Sequence, residues 1–408
     1  MPNPTDAATA SDIKLAAGLA ANAVDSLPAG ALAGRLADAR RHARPLRVKL
    51  GIDPTAPDIH LGHAVVLRKL REFQDAGHRV VLIIGDFTAR VGDPSGRSSL
   101  RPMLSAEEIA ANAATFTEQA LRILDSGPEH LEVRFNSEWL DMGMADLLAL
   151  LRTATAAQLL ERDDFAKRLA AEEPISMLEL LYPLLQGYDS VAVHADVELG
   201  GTDQKFNLLL GRDIQRAYGQ PAQAILTMPI LVGTDGQRKM SKSLGNHIGV
   251  TDAPQEIYGK TMAIPDEAIG EYQRLLLGPQ AADPEAAAAS SPRDAKRALA
   301  RELVQWLYSS EDAADAERHF DRVFVDREEP EAIEEAGFDS DGGIVHLPGV
   351  MAAEFGISRS EARRLIDQGG VTLGGDVLGP DEHDVPEKRA EGAVLKVGRR
   401  RFRRLRAS

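Results

Sequence analysis

The sequence predicts an α/β fold, and three observations carry that prediction. Residues 46–52 (LRVKLGI) read as a strand, 60–77 as a helix and 80–84 as a second, β-branched strand, which is the unit of a parallel sheet with right-handed crossovers. Helical patterns and short strands then alternate to about residue 232, with further strands expected at 131–135 and 223–226. From 251 to 325 the pattern is helical with no convincing strand. The first region is therefore expected to be a Rossmann-like parallel-sheet domain, followed by an α-helical domain and a small α+β domain.

The individual elements rest on spacing and caps. Val66, Leu70 and Phe73 fall at i, i+4 and i+7 on one helical face, and Gly77 is a natural helix stop. Residues 281–292, rich in Ala, Ser and Pro, read as a connector. Residues 326–343 carry Asp326, Glu328, Glu329, Glu331, Glu334, Glu335, Asp339 and Asp341 and read as an acidic linker. A last module begins near Ile344, with a capped helix at 358–368 that ends at Gly369–Gly370, then short strands with Gly–Gly turns. The expected organisation is 1–45 N-terminal helical region, 46–250 Rossmann-like domain, 251–325 helical domain, 326–343 linker and 344–408 small C-terminal module.

Composition narrows the function classes. At 408 residues the chain has room for two to four domains, and 44% hydrophobic content supplies a sizeable core. It has no cysteine, which excludes disulfides, thiolate zinc sites, iron–sulfur clusters and a cysteine nucleophile. No stretch reaches the roughly 18 apolar residues that span a membrane. The apolar run 15–24 has Asp6 and Asp12 before it and only Lys14 as a base, so it reads as an alanine-rich helix and not a signal peptide; a cytoplasmic protein is expected. The net charge is −15, which argues against wholesale coating of nucleic acid. That charge is unevenly placed. Residues 344–408 hold 12 basic and 9 acidic residues, and 396–406 holds seven bases and no acid.

Five constellations carry possible chemistry. His60-Leu-Gly62-His63 lies between strand and helix, with both imidazoles on one side of a first helical turn. The free N–H groups there favour anions, though capping histidines or half of a metal site are also open. Lys239-Met-Ser-Lys242-Ser243 sits in a Gly-rich loop, where two lysines can close over a polyphosphate or simply stay solvated. Gly92-Asp93-Pro-Ser-Gly96-Arg97 and Gly200-Gly201-Thr-Asp203-Gln204 each read as turns or as close-approach loops bearing an acid. Tyr182, Gln186 and Asp189 share one helical face at i, i+4 and i+7, and polar groups on an apolar face point to a polar pocket or a capped core helix.

Together these residues resemble the class I aminoacyl-tRNA synthetases. His60–His63 matches the HIGH signature and Lys239–Ser243 the KMSKS signature, in order and some 180 residues apart. GDPSG, GGTDQ and LLQGYD narrow the resemblance to the tyrosyl-tRNA synthetase family. The KMSKS spelling and ERDDFAKR (161–168) are similar to its KMSKS-containing bacterial subtype. The resemblance covers essentially 46–408. The C-terminal module, 344–408, resembles an S4 RNA-binding domain through Ser358-Arg-Ser-Glu-Ala-Arg-Arg-Leu-Ile.

The resemblance implies activation of L-tyrosine with ATP and Mg²⁺, transfer to tRNA(Tyr), and a homodimer with no membrane partner. It implies that Asp93, Tyr182 and Gln186 hold the tyrosine amino group, that Asp189 accepts from its hydroxyl and that Gln204 orients it. Asp53, Thr55, His60, Gly62, His63 and Gly201 would line the ATP side, with Asp203 at the ribose. Lys239 and Lys242, aided by Arg97 and Arg101, would bind pyrophosphate as it forms. Arg359, Arg363, Arg364, Arg399, Arg400 and Arg401 would face RNA phosphates. No metal site belonging to the protein itself is implied.

Two departures stand out. Lys49 occupies a position where many relatives have a tyrosine that touches the substrate hydroxyl, and Glu198 one where others often have glutamine. Hydroxyl recognition then leans on Asp189, and Lys49 is expected to pair with an acid. Two rivals remain at this point: a tryptophan-specific synthetase of the same class, and a non-enzymatic RNA-binding protein that kept the fold. Asp189 and the S4-like tail disfavour the first, and the two intact signatures disfavour the second.

Overall fold

The computed structural model describes residues 8–55, 58–94, 105–278, 291–325, 333–398 and 401–407. It divides into two compact units, 1–314 and 315–408, and the division falls inside the helix Ser310–Phe320.

The first unit is built on a six-stranded sheet of β1 (Asp25–Leu27), β2 (Arg47–Ile52), β3 (Arg79–Ile84), β4 (Leu131–Phe135), β5 (Val197–Gly201) and β6 (Ala224–Met228), in the order β1-β6-β5-β2-β3-β4. Only β1 is antiparallel to its neighbour. Buried strands of a parallel sheet read as near-continuous apolar runs. β3 follows this rule, with Val80 to Ile84 all fully buried. The chain builds outward from β2 to β4 and then returns to β5 on the other side of β2. The order therefore reverses between β2 and β5, and in open α/β sheets that reversal leaves a crevice at the carboxyl ends of the strands.

Helices cover the sheet. α1 (Ala10–Leu19) and α2 (Ala31–Arg41) precede β2, and α3 (Leu61–Asp75) links β2 to β3. α3 buries Leu67, Leu70 and Phe73 on one face. α4 (Ala106–Ala120) begins with a capping box between Ser105 and Glu108. α5 (Met144–Leu151), α6 (Met177–Ala192) and α7 (Lys205–Ala217) follow. α6 is capped by Ser176 and held by a buried ion pair, Arg168 to Glu179 at 2.6 Å. α8 (Pro254–Met262) and α9 (Pro292–Leu307) come after the lysine loop. As expected, 251–325 contains no strand among its described residues. The connector at 281–292 lies mostly outside the described residues.

The second unit has a five-stranded sheet ordered β10-β9-β12-β13-β7, and β8 pairs with β11 separately. Its strands are β7 (Glu335–Phe338), β8 (Ile344–His346), β9 (Val371–Leu373), β10 (Asp376–Val377), β11 (Asp384–Pro386), β12 (Val394–Val397) and β13 (Arg401–Ala407). Its helices are α10 (Leu347–Phe355) and α11 (Arg359–Asp367). Leu347, Met351, Ala362, Ile366, Leu395 and Leu405 belong to one buried core.

Two expectations about boundaries are corrected. The segment 326–343 is not all linker, because Glu335–Phe338 pairs with β13 in parallel and alternates exposed with buried residues. That period of two buries Ala336 and Phe338 while the alternate positions face out. Likewise 1–45 is not only helical, since β1 adds an edge strand to the main sheet.

Candidate active site

The crevice predicted by the strand order is present as a cleft of about 1400 Å³. Gly51–Asp53 reach it from the end of β2, Asp93 from the segment after β3, and Gly200, Gly201, Asp203 and Gln204 from the end of β5. Tyr182, Gln186 and Asp189 enter from α6, while His60, Gly62 and His63 enter from the start of α3. Lys239 to Leu244 close one side. Thr55 also lines it. The structure thus brings together every expected catalytic, tyrosine and ATP residue except Arg97 and Arg101, which lie outside the described residues.

One half of the cleft is a buried polar floor. Asp189 is buried and accepts a 2.8 Å hydrogen bond from Trp139 Nε1. Burial pushes its carboxyl up to about 6, against the pull of Lys49 and of the Trp139 indole. Asp53 receives the Thr88 hydroxyl at 2.7 Å and the Tyr182 hydroxyl at 2.9 Å, one on each oxygen. Burial, with Asp93 and Asp189 nearby, raises it to about 7. With both oxygens engaged, Asp53 supports Tyr182 and Thr88. Tyr182 itself is raised well above its usual value by burial and by Asp53, so it stays a neutral donor. A side chain at Gly85 would place Cβ 2.0 Å from Asp53 Oδ1, so only glycine leaves the aspartate its place.

Amides tie the floor together. Gln204 Nε2 donates to Asp93 Oδ2 at 2.8 Å. Asn207 Nδ2 donates to Gln186 Oε1 at 2.8 Å and to Gln204 Oε1 at 3.2 Å. Beneath Gln186 lies the anticipated pairing of Lys49. Lys49 and Glu198 face each other in the β2–β5 register and form a 2.8 Å ion pair, both essentially inaccessible to solvent.

The other half carries the histidines and lysines. The rings of His60 and His63 stack with centroids 4.0 Å apart. His63 Nδ1 accepts from the His60 backbone N–H at 3.4 Å, which assigns the His63 proton to Nε2 and makes that nitrogen the donor. Burial, with His63 and His247 adjacent, lowers His60 to about 2, and burial lowers His63 to about 4. Both imidazoles are therefore neutral donors at pH 7, not the cations that a phosphate site first suggests. Glycine at 62 makes this possible, because a Cβ there would sit 2.9 Å from the His60 ring.

The lysine loop is folded back on itself. Val232 bridges Lys239, and Met240 N–H donates to Leu231 at 2.9 Å. Asn246 Oδ1 accepts from Ser241 N–H at 2.8 Å while its amide nitrogen reaches Asp235 at 3.0 Å. Lys239 and Lys242 are exposed, and Lys242 is paired with Asp58.

Sequence reading missed several members. Thr88, Asn136, Trp139, Asn207 and Asp58 belong to no short signature. A signal existed for Asn136 and Trp139, which follow the carboxyl end of β4, where α/β sites gather.

In the second unit Arg359, Arg363 and Arg364 are exposed on α11, whose N-terminus Ser358 caps through Glu361 N–H at 3.1 Å. Arg401 is exposed at the start of β13; Arg399 and Arg400 lie outside the described residues. The basic tail is not simply a free cationic strip. Arg403 pairs with Glu334 and Glu354, and Arg406 with Glu335 and Glu391, because β13 is a sheet strand whose arginines lie beside acids.

Comparison with known proteins agrees with this geometry. The model of the family "tRNA synthetases class I (W and Y)" matches residues 41–325, and that of the S4 domain matches 347–382. The chain belongs to the class I tRNA synthetases of the W and Y group. It is 52% identical over 377 residues to the tyrosine–tRNA ligase of Thermotoga maritima, covering 91% of this chain and 92% of that protein. It is 50% identical over 387 residues to that of Moorella thermoacetica, covering 93% and 92%. Its fold is similar to the tyrosyl-tRNA synthetase of Archaeoglobus fulgidus solved with L-tyrosine, with TM-score 0.61, 24% identity and coverage of 75% of this chain and 99% of that one. A mitochondrial tyrosyl-tRNA synthetase of Aspergillus nidulans gives TM-score 0.63 at 22% identity, covering 77% and 94%.

Proposed function

We propose that this protein is a tyrosine–tRNA ligase, which joins L-tyrosine to AMP with release of pyrophosphate and then esterifies tRNA(Tyr). The observation that carries this reading is a buried carboxylate, Asp189, on the floor of a cleft whose opposite wall holds His60, His63 and the Lys239–Ser243 loop. A phenol hydroxyl needs such an acceptor. A pocket built to bond that hydroxyl rejects phenylalanine, which leaves the acceptor unpaired; the tyrosine-specific enzymes are the established example of this rule.

The tyrosine carboxylate attacks the α-phosphorus of ATP in line, and the bond to the bridging oxygen of pyrophosphate breaks as the new bond forms. No protein nucleophile is required; the site positions reactants and stabilises charge on the leaving group. Asp93, Tyr182 and Gln186 hold the amino end of tyrosine, with Gln204 bracing Asp93. Asp203 adjoins the ribose, and Asp53, Thr55 and Gly201 border the ATP side. His60 and His63 donate N–H groups to the phosphates, while Lys239, Lys242, Arg97 and Arg101 supply positive charge as pyrophosphate forms. Among the described residues no group of three or more His, Asp or Glu is placed to hold a metal. Mg²⁺ would accordingly enter on the triphosphate, whose oxygens ligate it. In the second step the terminal ribose hydroxyl of tRNA attacks the carbonyl carbon of the adenylate, and the bond from that carbon to the phosphate oxygen breaks, so that AMP leaves as the ester forms. Arg359, Arg363, Arg364 and Arg399 to Arg401 bind RNA phosphates from the S4 unit.

We also propose a homodimer working in the cytoplasm. α5 and α6 leave Met144, Leu148, Leu151, Met177 and Leu178 exposed, Met177 to 81%, and contiguous exposed apolar side chains mark an interface. No described helix is long and apolar enough to cross a membrane.

The test is pyrophosphate exchange into ATP across the amino acids. Exchange with tyrosine supports the proposal. Exchange with tryptophan alone would replace it with a tryptophan ligase, and no exchange at all would point to a non-catalytic RNA-binding protein.

A further inference from the structure

Lys49 is an unusual residue for the centre of a buried sheet. It is wholly shielded from solvent, and its ammonium uses all three donors. It bonds Glu198 Oε1 at 2.8 Å, the Ser190 hydroxyl at 2.8 Å and the backbone carbonyl of Gln186 at 2.9 Å. Glu198 is equally enclosed. Its Oε1 also faces Gln186 Nε2 at 3.4 Å, and its Oε2 accepts from Ser190 at 3.1 Å and from Gln223. Neither Lys49 nor Glu198 lines the cleft. They lie directly behind the turn of α6 that presents Gln186 and Asp189 to it.

A buried ion pair is a poor device for stability alone, because apolar residues of the same volume are often as good or better. Its bonds point elsewhere. Through Ser190 and the Gln186 carbonyl it grips both ends of the turn that holds Asp189, and its positive end adjoins that carboxylate.

We propose that Lys49, held in place by Glu198, is a positioning residue for tyrosine selection, which fixes the Gln186–Ser190 turn and keeps Asp189 an anionic acceptor for the substrate hydroxyl. This rests on the reading of the protein as a tyrosine ligase and assigns to two residues outside the pocket a part of its selectivity.

Several elements bring charge to Asp189. Lys49 on β2 favours the ionised form most among its neighbours, and Glu198 on β5 opposes it. Trp139 and Asn136 donate to it from after β4. Asp53 after β2 and Tyr182 on α6 also interact with it. Burial alone would drive the group neutral, so the lysine is the main positive charge opposing burial.

The double variant Lys49→Met, Glu198→Gln removes both charges while nearly conserving volume. Tyrosine and phenylalanine exchange are measured across pH for the full-length protein and the variant. The expected result is a fall of about tenfold or more in the tyrosine-to-phenylalanine ratio of kcat/KM near pH 7. The loss should lie mainly in the tyrosine KM, with an upward shift of the acid limb for tyrosine and not for phenylalanine. A parallel loss for both substrates, or an unchanged ratio, would overturn the inference in favour of a purely structural pair. If the unaltered protein gives no tyrosine exchange, it is the tyrosine reading that fails. Should the double variant not fold, Ser190→Ala removes one of the three lysine bonds and should lower the same ratio by a smaller factor; no change there overturns the inference as well.

Discussion

The Tyr182 hydroxyl donates to Asp53 across 2.9 Å, joining α6 to the end of β2. On the proposed function this one hydrogen bond would couple the tyrosine side of the cleft to its ATP side. Tyr182→Phe should leave Asp53 with Thr88 alone and cost about 1–3 kcal/mol of stability, and should raise the KM for tyrosine more than that for ATP. Thermal unfolding together with exchange kinetics reads both.

The same aspartate makes stability depend on pH. Its folded value of about 7 lies above the ordinary 3.8, so between those values the folded protein retains a proton that the unfolded chain has released. Stability is therefore greatest below about pH 4 for this group and falls as pH rises to 7, by up to ~1.4 kcal/mol per unit, less where cleft water screens it. Asp53→Asn should flatten that part of the profile, measured as urea midpoints from pH 4 to 8. A slope unchanged by the substitution would contradict the assignment.

Lys242 is exposed and, among the described residues, is paired with Asp58, outside the polar floor that would hold tyrosine. Lys242→Ala should slow adenylate formation on the order of 10²-fold with little change in tyrosine affinity. Rapid-mixing kinetics set against equilibrium tyrosine binding separates the two, and equal losses in both would refute the role.

Arg168 and Glu179 are both buried, and their ion pair seats the first turn of α6. Arg168→Ala leaves the Glu179 carboxylate without its partner. The expected loss is about 3–5 kcal/mol, read from denaturant unfolding.

On the S4 unit, replacing Arg359, Arg363 and Arg364 by alanine removes three exposed cations from α11. Pyrophosphate exchange should be unaffected while tRNA binding weakens. The slope of log affinity against log salt should become shallower by about 0.7–0.9 for each RNA phosphate that is no longer neutralised. A salt slope identical to that of the unaltered protein would exclude this helix from the RNA interface.

Much of this architecture is legible in the sequence where one physical signal dominates. β3 and α3 are readable because their apolar periods are clean, and the lysine and histidine segments because short signatures mark them. β5 is not, since Glu198, Gly200 and Gly201 are poor strand residues; only the partner strand, by setting Lys49 opposite Glu198, makes that strand acceptable. β7 hides in an acidic run because its partner, Arg404 to Ala407, lies some seventy residues downstream. The polar floor is half visible. Tyr182, Gln186 and Asp189 share one helical face, but Trp139 and Asn207 reach them from other elements, and no local pattern records that convergence.

The lysine loop has a consequence for turnover. Leu61 N–H bonds Ile248 and Val250 N–H bonds Ile59, so the far end of the loop is stitched to the histidine segment, and Val232 with Lys239 fastens the near end. Between these two anchors lies the short arc Ser241 to Gly245, which carries Lys242. On the proposed function, Lys242 would have to release Asp58 to meet pyrophosphate, exchanging one counter-ion for another. Such an exchange gains little net free energy in the resting direction, so the grip on the product is offset from the start. On the same reading, Asp58 would pair with the lysine again once pyrophosphate departs.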